Sequence, residues 1–133
     1  MLKIIIGVVK MKFYICKHCK NIIYYMNDKG APVSCCGEKM TELIPATSDG
    51  AYEKHIPVIK NVGNSVTIEV GEVLHPMLDV HYIEWIVLET KKRLYIERLN
   101  PGDAPKAVFT IEPEDEIVAA YEYCNLHGLY EKR

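Results

Sequence analysis

Four of the five cysteines of this 133-residue chain, Cys16, Cys19, Cys35 and Cys36, fall inside one stretch, residues 11–46. A segment of under about 40 residues rarely buries enough apolar surface to hold a fold unaided; it needs a metal, a disulfide or a partner. Two close-spaced pairs with no secretory signal ahead of them read as metal ligands in a reducing compartment rather than as disulfides. The odd fifth cysteine, Cys124, agrees with that reading. Cys16-x2-Cys19 sets two sulfurs on one knuckle, and Cys35 with Cys36 returns the other two after a loop long enough to fold back. Four thiolates make a closed tetrahedral site suited to zinc or to iron. Zinc ribbons usually use two separated pairs, whereas adjacent cysteines must splay to reach one ion. His18, inside the first knuckle, reads as a solvated side chain.

Pro45-Ala46-Thr47-Ser48-Asp49-Gly50 has the composition of a linker and marks the expected domain boundary, with a second domain over residues 47–133. No sustained helical period follows. Five β-rich runs do: Ser65 to Val70, Tyr82 to Leu88, Arg93 to Leu99, Ala107 to Glu112 and Ile117 to Tyr123. Val66, Ile68 and Val70 alternate with polar neighbours as a half-buried strand requires. Turn chemistry separates the runs, notably at Val62-Gly63-Asn64 and Asn100-Pro101-Gly102-Asp103-Ala104-Pro105. Short strands at this spacing suggest a β-sandwich. Pro113-Glu114-Asp115-Glu116 has the chemistry of a helix start, but Ile117, Ala119, Tyr121 and Tyr123 alternate, so the segment is read as strand. Trp85, within a strand-like run, is expected in the core.

The formal net charge of −2 and the lack of a dense Lys/Arg run give no attraction to nucleic acid or to an anionic membrane. Met1-Leu2-Lys3-Ile4-Ile5-Ile6-Gly7-Val8-Val9-Lys10 is too short in its apolar part for a signal-peptide core or a membrane span. A soluble, cytoplasmic protein is expected. Residues 1–10 form an extension, read either as an extra edge strand or as a loosely held tail.

The second domain carries its own donors: His55, His75, His81 and His127, with Cys124 three residues before His127. Four neutral imidazoles and a thiolate exceed what a tetrahedral structural zinc uses. They suit a metal that takes five protein ligands and keeps a sixth position for chemistry.

The wording around these residues, EKHIPVI, LHPM, HYIEW, LNPGDAP and CNLHG in that order, resembles the catalytic domain of superoxide reductases, and from about Met11 onward the chain resembles the two-iron desulfoferrodoxin form. The resemblance implies an all-β protein in which a small desulforedoxin-like four-cysteine iron domain precedes an immunoglobulin-like β-sandwich. It implies reduction of superoxide to hydrogen peroxide at a mononuclear iron with His55, His75, His81 and His127 as equatorial ligands and Cys124 as the axial one. Cys16, Cys19, Cys35 and Cys36 would hold the second iron. It further implies a rubredoxin-like electron donor and a homodimer. Lys54 matches the lysine that draws in superoxide and aids proton delivery, and Glu53 the carboxylate that takes the sixth position once iron is ferric. After Cys19 the family often has Gly, which eases the tight knuckle, where this chain has Lys20. Two other classes fit the bare residues: an electron-transfer protein with saturated irons, or a zinc-stabilised binding module.

Overall fold

The computed structural model describes residues 10–48 and 55–133, so the extension over residues 1–9, Asp49-Gly50 of the linker, and both Glu53 and Lys54 lie outside the described residues. Chain contacts separate two compact units, Met1–Ile44 and Pro45–Arg133. All regular structure among the described residues is β, in agreement with the all-β expectation. None of it is a helix long and apolar enough to cross a membrane.

In the first unit, β1 (Phe13–Ile15) is the centre of a three-stranded antiparallel sheet, flanked by β2 (Ile22–Tyr24) and β5 (Thr41–Leu43). A separate ribbon pairs β3 (Ser34–Cys35) with β4 (Glu38–Lys39). Apolar burial is slight: Phe13, Ile15, Cys16 and Met40. Strands of two or three residues around four buried side chains cannot offset the backbone entropy of ordering them.

The second unit stacks two antiparallel sheets. One runs β10 (Lys106–Thr110), β7 (Ser65–Val70), β6 (Pro57–Val62). The other runs β12 (Gly128–Lys132), β11 (Ile117–Cys124), β8 (Ile83–Thr90), β9 (Leu94–Arg98). Val66, Ile68 and Val70 of the first sheet meet Ile86, Leu88 and Ala120 of the second in one core, with Phe109 and Ile111 at its side. Each facing strand offers alternate residues inward, as sheet-on-sheet packing demands. The three-plus-four arrangement is the immunoglobulin-like sandwich.

One segment follows the sequence reading and one residue departs from it. Pro113 and Glu114 sit in a turn, and β11 starts at Ile117 between β8 and β12, which settles the helix-or-strand alternative as strand. Trp85 is half-buried, outside the core cluster, and stacks on Tyr123, its cross-strand partner, with ring centroids 5.7 Å apart. Ile86 and Leu88 take the inward face of β8, so strand alternation puts Trp85 on the other one.

Candidate metal centres

All five donors of the second unit gather at one end of the sandwich, because the strand register leaves no other place for them. Pro57 pairs with Val70, Ile83 with Cys124, and Cys124 with Gly128. The start of β6, the end of β7, the start of β8, the end of β11 and the start of β12 therefore coincide. His55 lies two residues before β6, His75 and His81 in the β7–β8 loop, Cys124 at the last position of β11, and His127 in the turn before β12.

Two backbone devices aim these side chains. The β8–β11 register slips between Tyr123 and Cys124, so that Tyr123 faces Trp85 while Cys124 faces Ile83, with Glu84 the extra residue. Such a bulge switches which side chains point inward; Ile86 and Leu88 are core-facing above it, Ile83 below it, and His81 two residues earlier follows Ile83. The second device is the turn Asn125-Leu126-His127, closed by Gly128 at φ +90°. A three-residue hairpin loop needs a left-handed residue at its end, which Gly adopts at no steric cost.

The four imidazoles form a ring in the order His55, His75, His81, His127. Successive centroids lie 4.6, 4.6, 5.0 and 4.9 Å apart with planes at 64°, 84°, 82° and 83°. Nε2 of His55 stands 3.1 Å from Nε2 of His75 and 3.2 Å from Nδ1 of His127. Imidazole nitrogens bind a first-row ion at about 2.0–2.1 Å, so neighbouring corners of a square of ligands stand roughly 3.0 Å apart. The Cys124 sulfur lies 3.6 Å from the His75 nitrogen and 3.8 Å from the His127 nitrogen, which are opposite corners. A sulfur comparably close to opposite corners lies near the plane that bisects them, as an apical ligand would. All five donor atoms lie within 4.8 Å of one another, so the cluster fits one ion with four equatorial nitrogens and an axial thiolate.

The surroundings hold the rings in place. His75 Nδ1–H donates to the Pro76 carbonyl at 2.7 Å, which leaves Nε2 as the donor to a metal. Tyr130 stacks on His55 at 4.5 Å and 13°. His55, His75 and Cys124 are buried, His81 is half-buried and His127 is exposed. Asn125 N–H donates to the Tyr82 carbonyl at 3.2 Å and so ties the turn after Cys124 to the start of β8.

In the first unit the sulfurs of Cys16, Cys19, Cys35 and Cys36 likewise lie within 4.8 Å of one another. Cys19 and Cys35 sulfurs are 3.5 Å apart, close to the roughly 3.8 Å edge of a tetrahedron with metal–sulfur bonds of about 2.3 Å. The knuckle is built by Cys19 N–H donating to Cys16 Sγ at 3.5 Å and Lys20 N–H to the Cys16 carbonyl at 2.9 Å. The adjacent pair straddles the β3–β4 hairpin: Cys35 ends β3, and Cys36 with Gly37 forms its two-residue turn at φ +53° and +78°. Positive φ at both positions is the type I′ turn that suits strand twist. It also swings the Cys36 side chain away from that of Cys35, which is how neighbours splay to one site. Asn21 Nδ2–H donates to Cys35 Sγ at 3.7 Å.

Proton affinities in the sulfur cluster show why it needs a cation. The Cys19 N–H bond lowers the Cys16 thiol to about 6, whereas the sulfurs of Cys16, Cys19 and Cys35 push Cys36 up to about 12. The Cys16 thiolate forms readily while its sulfur neighbours push Cys35 and Cys36 upward; four thiolates together require a metal to share. His18 is no part of the cluster; its Nε2 meets the exposed Glu38 carboxylate at 2.8 Å. The sequence reading did not single out Asn21, Tyr130 or the side chain of Asn125. Only Asn125 stood in a quoted motif, CNLHG.

A protein-family model described as Desulfoferrodoxin matches residues 47–133. The desulfoferrodoxin of Nitratidesulfovibrio vulgaris is 48% identical over 117 residues, covering 88% of this chain and 91% of that protein. The crystal structure of the superoxide reductase from Treponema pallidum superposes with a TM-score of 0.82 at 33% identity, over 93% of this chain and 98% of that one. The superoxide reductase (1Fe-SOR) from Giardia intestinalis gives 0.54 at 34% identity, covering 61% of this chain and 96% of its own.

Proposed function

The chain belongs to the desulfoferrodoxin family, and we propose that Lys54 and Glu53, which precede His55 in sequence, serve its chemistry. The protein is a superoxide reductase: superoxide, one electron and two protons give hydrogen peroxide. It has two mononuclear iron sites, one of four histidines and a cysteine, the other of four cysteines. Iron held by His55, His75, His81, His127 and Cys124 would supply a one-electron couple made more donating by the thiolate. The observation that carries the reading is the convergence of four imidazoles and the Cys124 sulfur, all five donor atoms within 4.8 Å of one another, with the sulfur 3.6 and 3.8 Å from the His75 and His127 nitrogens.

His55, His75, His81 and His127 are the equatorial ligands in this reading, and Cys16, Cys19, Cys35 and Cys36 the ligands of the second iron. Lys54 precedes His55 in sequence. Superoxide is an anion and the chain is net acidic, so capture needs local positive charge, which the Lys54 ammonium provides. The same group, directly or through water, hydrogen-bonds the reduced dioxygen and aids its protonation. Glu53 offers a hard anionic oxygen, which prefers the oxidised metal to the reduced one. As the resemblance implies, Glu53 would bind the oxidised metal and leave it on reduction.

Residues 11–46 act as the four-cysteine iron domain and residues 47–133 as the catalytic one, with residues 1–10 an extension. The electron comes from outside, from a rubredoxin-like donor, and the protein works as a cytoplasmic homodimer with neither nucleic acid nor membrane as partner. The donor and the homodimer rest on the family resemblance, the domain bounds on it and on the linker composition of residues 45–50, and the location and absent partners on composition, charge and cysteine usage.

Pulse radiolysis tests the roles of Lys54 and Glu53. Lys54→Ala is expected to slow second-order capture of superoxide and to flatten its dependence on ionic strength, while Glu53→Ala leaves capture intact and alters the ferric resting spectrum. A Lys54→Ala rate equal to wild type at every salt concentration refutes the steering role. An unchanged ferric spectrum in Glu53→Ala refutes the sixth-ligand role.

A further inference from the structure

We propose that Asn125 is a positioning residue that locks the His81 loop to the Cys124–His127 turn and thereby sets the geometry of three of the five ligands at once. Its side chain uses both halves of the amide. Oδ1 accepts from Tyr82 N–H at 2.9 Å, and Nδ2–H donates to the Val80 carbonyl at 3.1 Å. Its own backbone N–H donates to the Tyr82 carbonyl at 3.2 Å. The three bonds take hold of residues 80 and 82, on either side of His81. They start from the residue that separates Cys124 from the rest of the turn carrying His127.

The need for such a staple follows from the placement of the ligands. His81 has no strand around it: β8 begins only at Ile83, and its loop is closed on itself by the Leu78–His81 bridge and by Ile83 N–H donating to Met77 Sδ at 3.4 Å. His127 is exposed in a three-residue turn. Loops hold side chains less exactly than strands do, and groups that orient metal ligands typically contribute about 10- to 100-fold in metal affinity. Only an amide of this length offers a donor and an acceptor to two backbone groups spaced like Val80 C=O and Tyr82 N–H. Aspartate keeps the acceptor and loses the donor; alanine loses both.

The inference rests on the iron assignment above. The full-length, iron-loaded protein tests it, with the four-cysteine centre as an internal control in the same spectrum. Asn125→Ala is expected to speed loss of iron from the histidine centre to a chelator by about 10-fold and to move its sulfur-to-Fe(III) absorption. The bands of the four-cysteine centre and the far-ultraviolet circular dichroism stay as in wild type. Asn125→Asp falls between wild type and Asn125→Ala in both measurements. Wild-type iron release and absorption in Asn125→Ala would overturn the proposal. Loss of the β-sheet dichroism in Asn125→Ala would overturn it too, since the residue would then hold the fold rather than the ligands. A wild-type protein without the sulfur-to-Fe(III) band would sink the iron assignment itself, a failure visible before any variant is made.

Discussion

Lys20, at the position after Cys19 where the resemblance implies glycine, has a left-handed backbone, and that conformation has a cost. Lys20 follows Cys19 with φ +69°, and its N–H closes the knuckle onto the Cys16 carbonyl at 2.9 Å. An L-residue in the left-handed region is disfavoured by roughly 1–2 kcal/mol, because Cβ crowds the following carbonyl oxygen. Glycine avoids that clash, at an entropic cost of about 0.5–1 kcal/mol from its freer unfolded chain. Lys20→Gly should thus stabilise the folded knuckle by about 0.5–1 kcal/mol, a factor of about 2–5 in an equilibrium constant. Metal binding and folding are one equilibrium in so small a unit, so the gain should appear as tighter holding of the four-cysteine iron. Chelator competition followed at its visible bands reads that factor directly. Lys20→Ala is the control that separates backbone from charge: it removes the ammonium but keeps Cβ, and should give none of the gain. Equal gains from Lys20→Gly and Lys20→Ala would refute the argument from strain and leave the charge beside the thiolates as the cause.

Cys16→Ser should abolish the four-cysteine centre while leaving the histidine centre loaded, because the sulfur lost is the one that forms a thiolate most readily and anchors the knuckle; iron analysis falling from two to about one per chain checks it, and loss of the Cys124-to-iron absorption would contradict the ligand partition. Acid should unmask Asp115, a buried carboxylate between β10 and β11. Burial opposes its ionisation, but bonds from Thr90 Oγ1 and from the N–H groups of Glu116 and Lys92 outweigh that and hold its carboxyl below the usual range. A depressed folded value means the stabilisation is complete above the unfolded value of about 3.9 and is lost as pH falls through the folded one. Asp115→Asn should therefore be less stable than wild type in thermal melts at neutral pH, with the gap closing only below about pH 4; a gap of constant size down to low pH would refute this.

How far the sequence could be read depended on where each segment buries its side chains. Ser65–Val70 coincides with β7 residue for residue, because its apolar positions alternate against a single core. β6 and β12 were not legible. Strand Gly128–Lys132 buries Leu129 and Glu131, and a carboxylate at an inward position breaks the hydropathy alternation that marks a strand. Strand Pro57–Val62 has Val58 and Ile59 adjacent and an exposed Val62, so its pattern has no period of two. The first unit's strands are two or three residues long, too short to carry any period. Trp85 was read as core because size and apolarity do not reveal which face of a strand a residue takes.

Both metal-ligand sets were legible as residues, but of their geometry spacing showed only the Cys16-x2-Cys19 knuckle and the need for Cys35 and Cys36 to splay. What turns the list of donors into two shells is backbone: a left-handed Lys20 closing one knuckle, a type I′ turn splaying Cys35 from Cys36, a register slip that brings His81 to the same end as Cys124, and a glycine-closed turn that returns His127 toward the chain. Each device sits within two residues of a ligand and involves a position, such as Lys20 or Glu84, that no donor pattern would flag. Donor identity selects the metal, but these turns and the bulge decide whether the donors converge on one ion. Changes beside the ligands should therefore alter metal retention at one centre while leaving the other as an unperturbed reference, since each unit draws its ligands wholly from its own strands and loops.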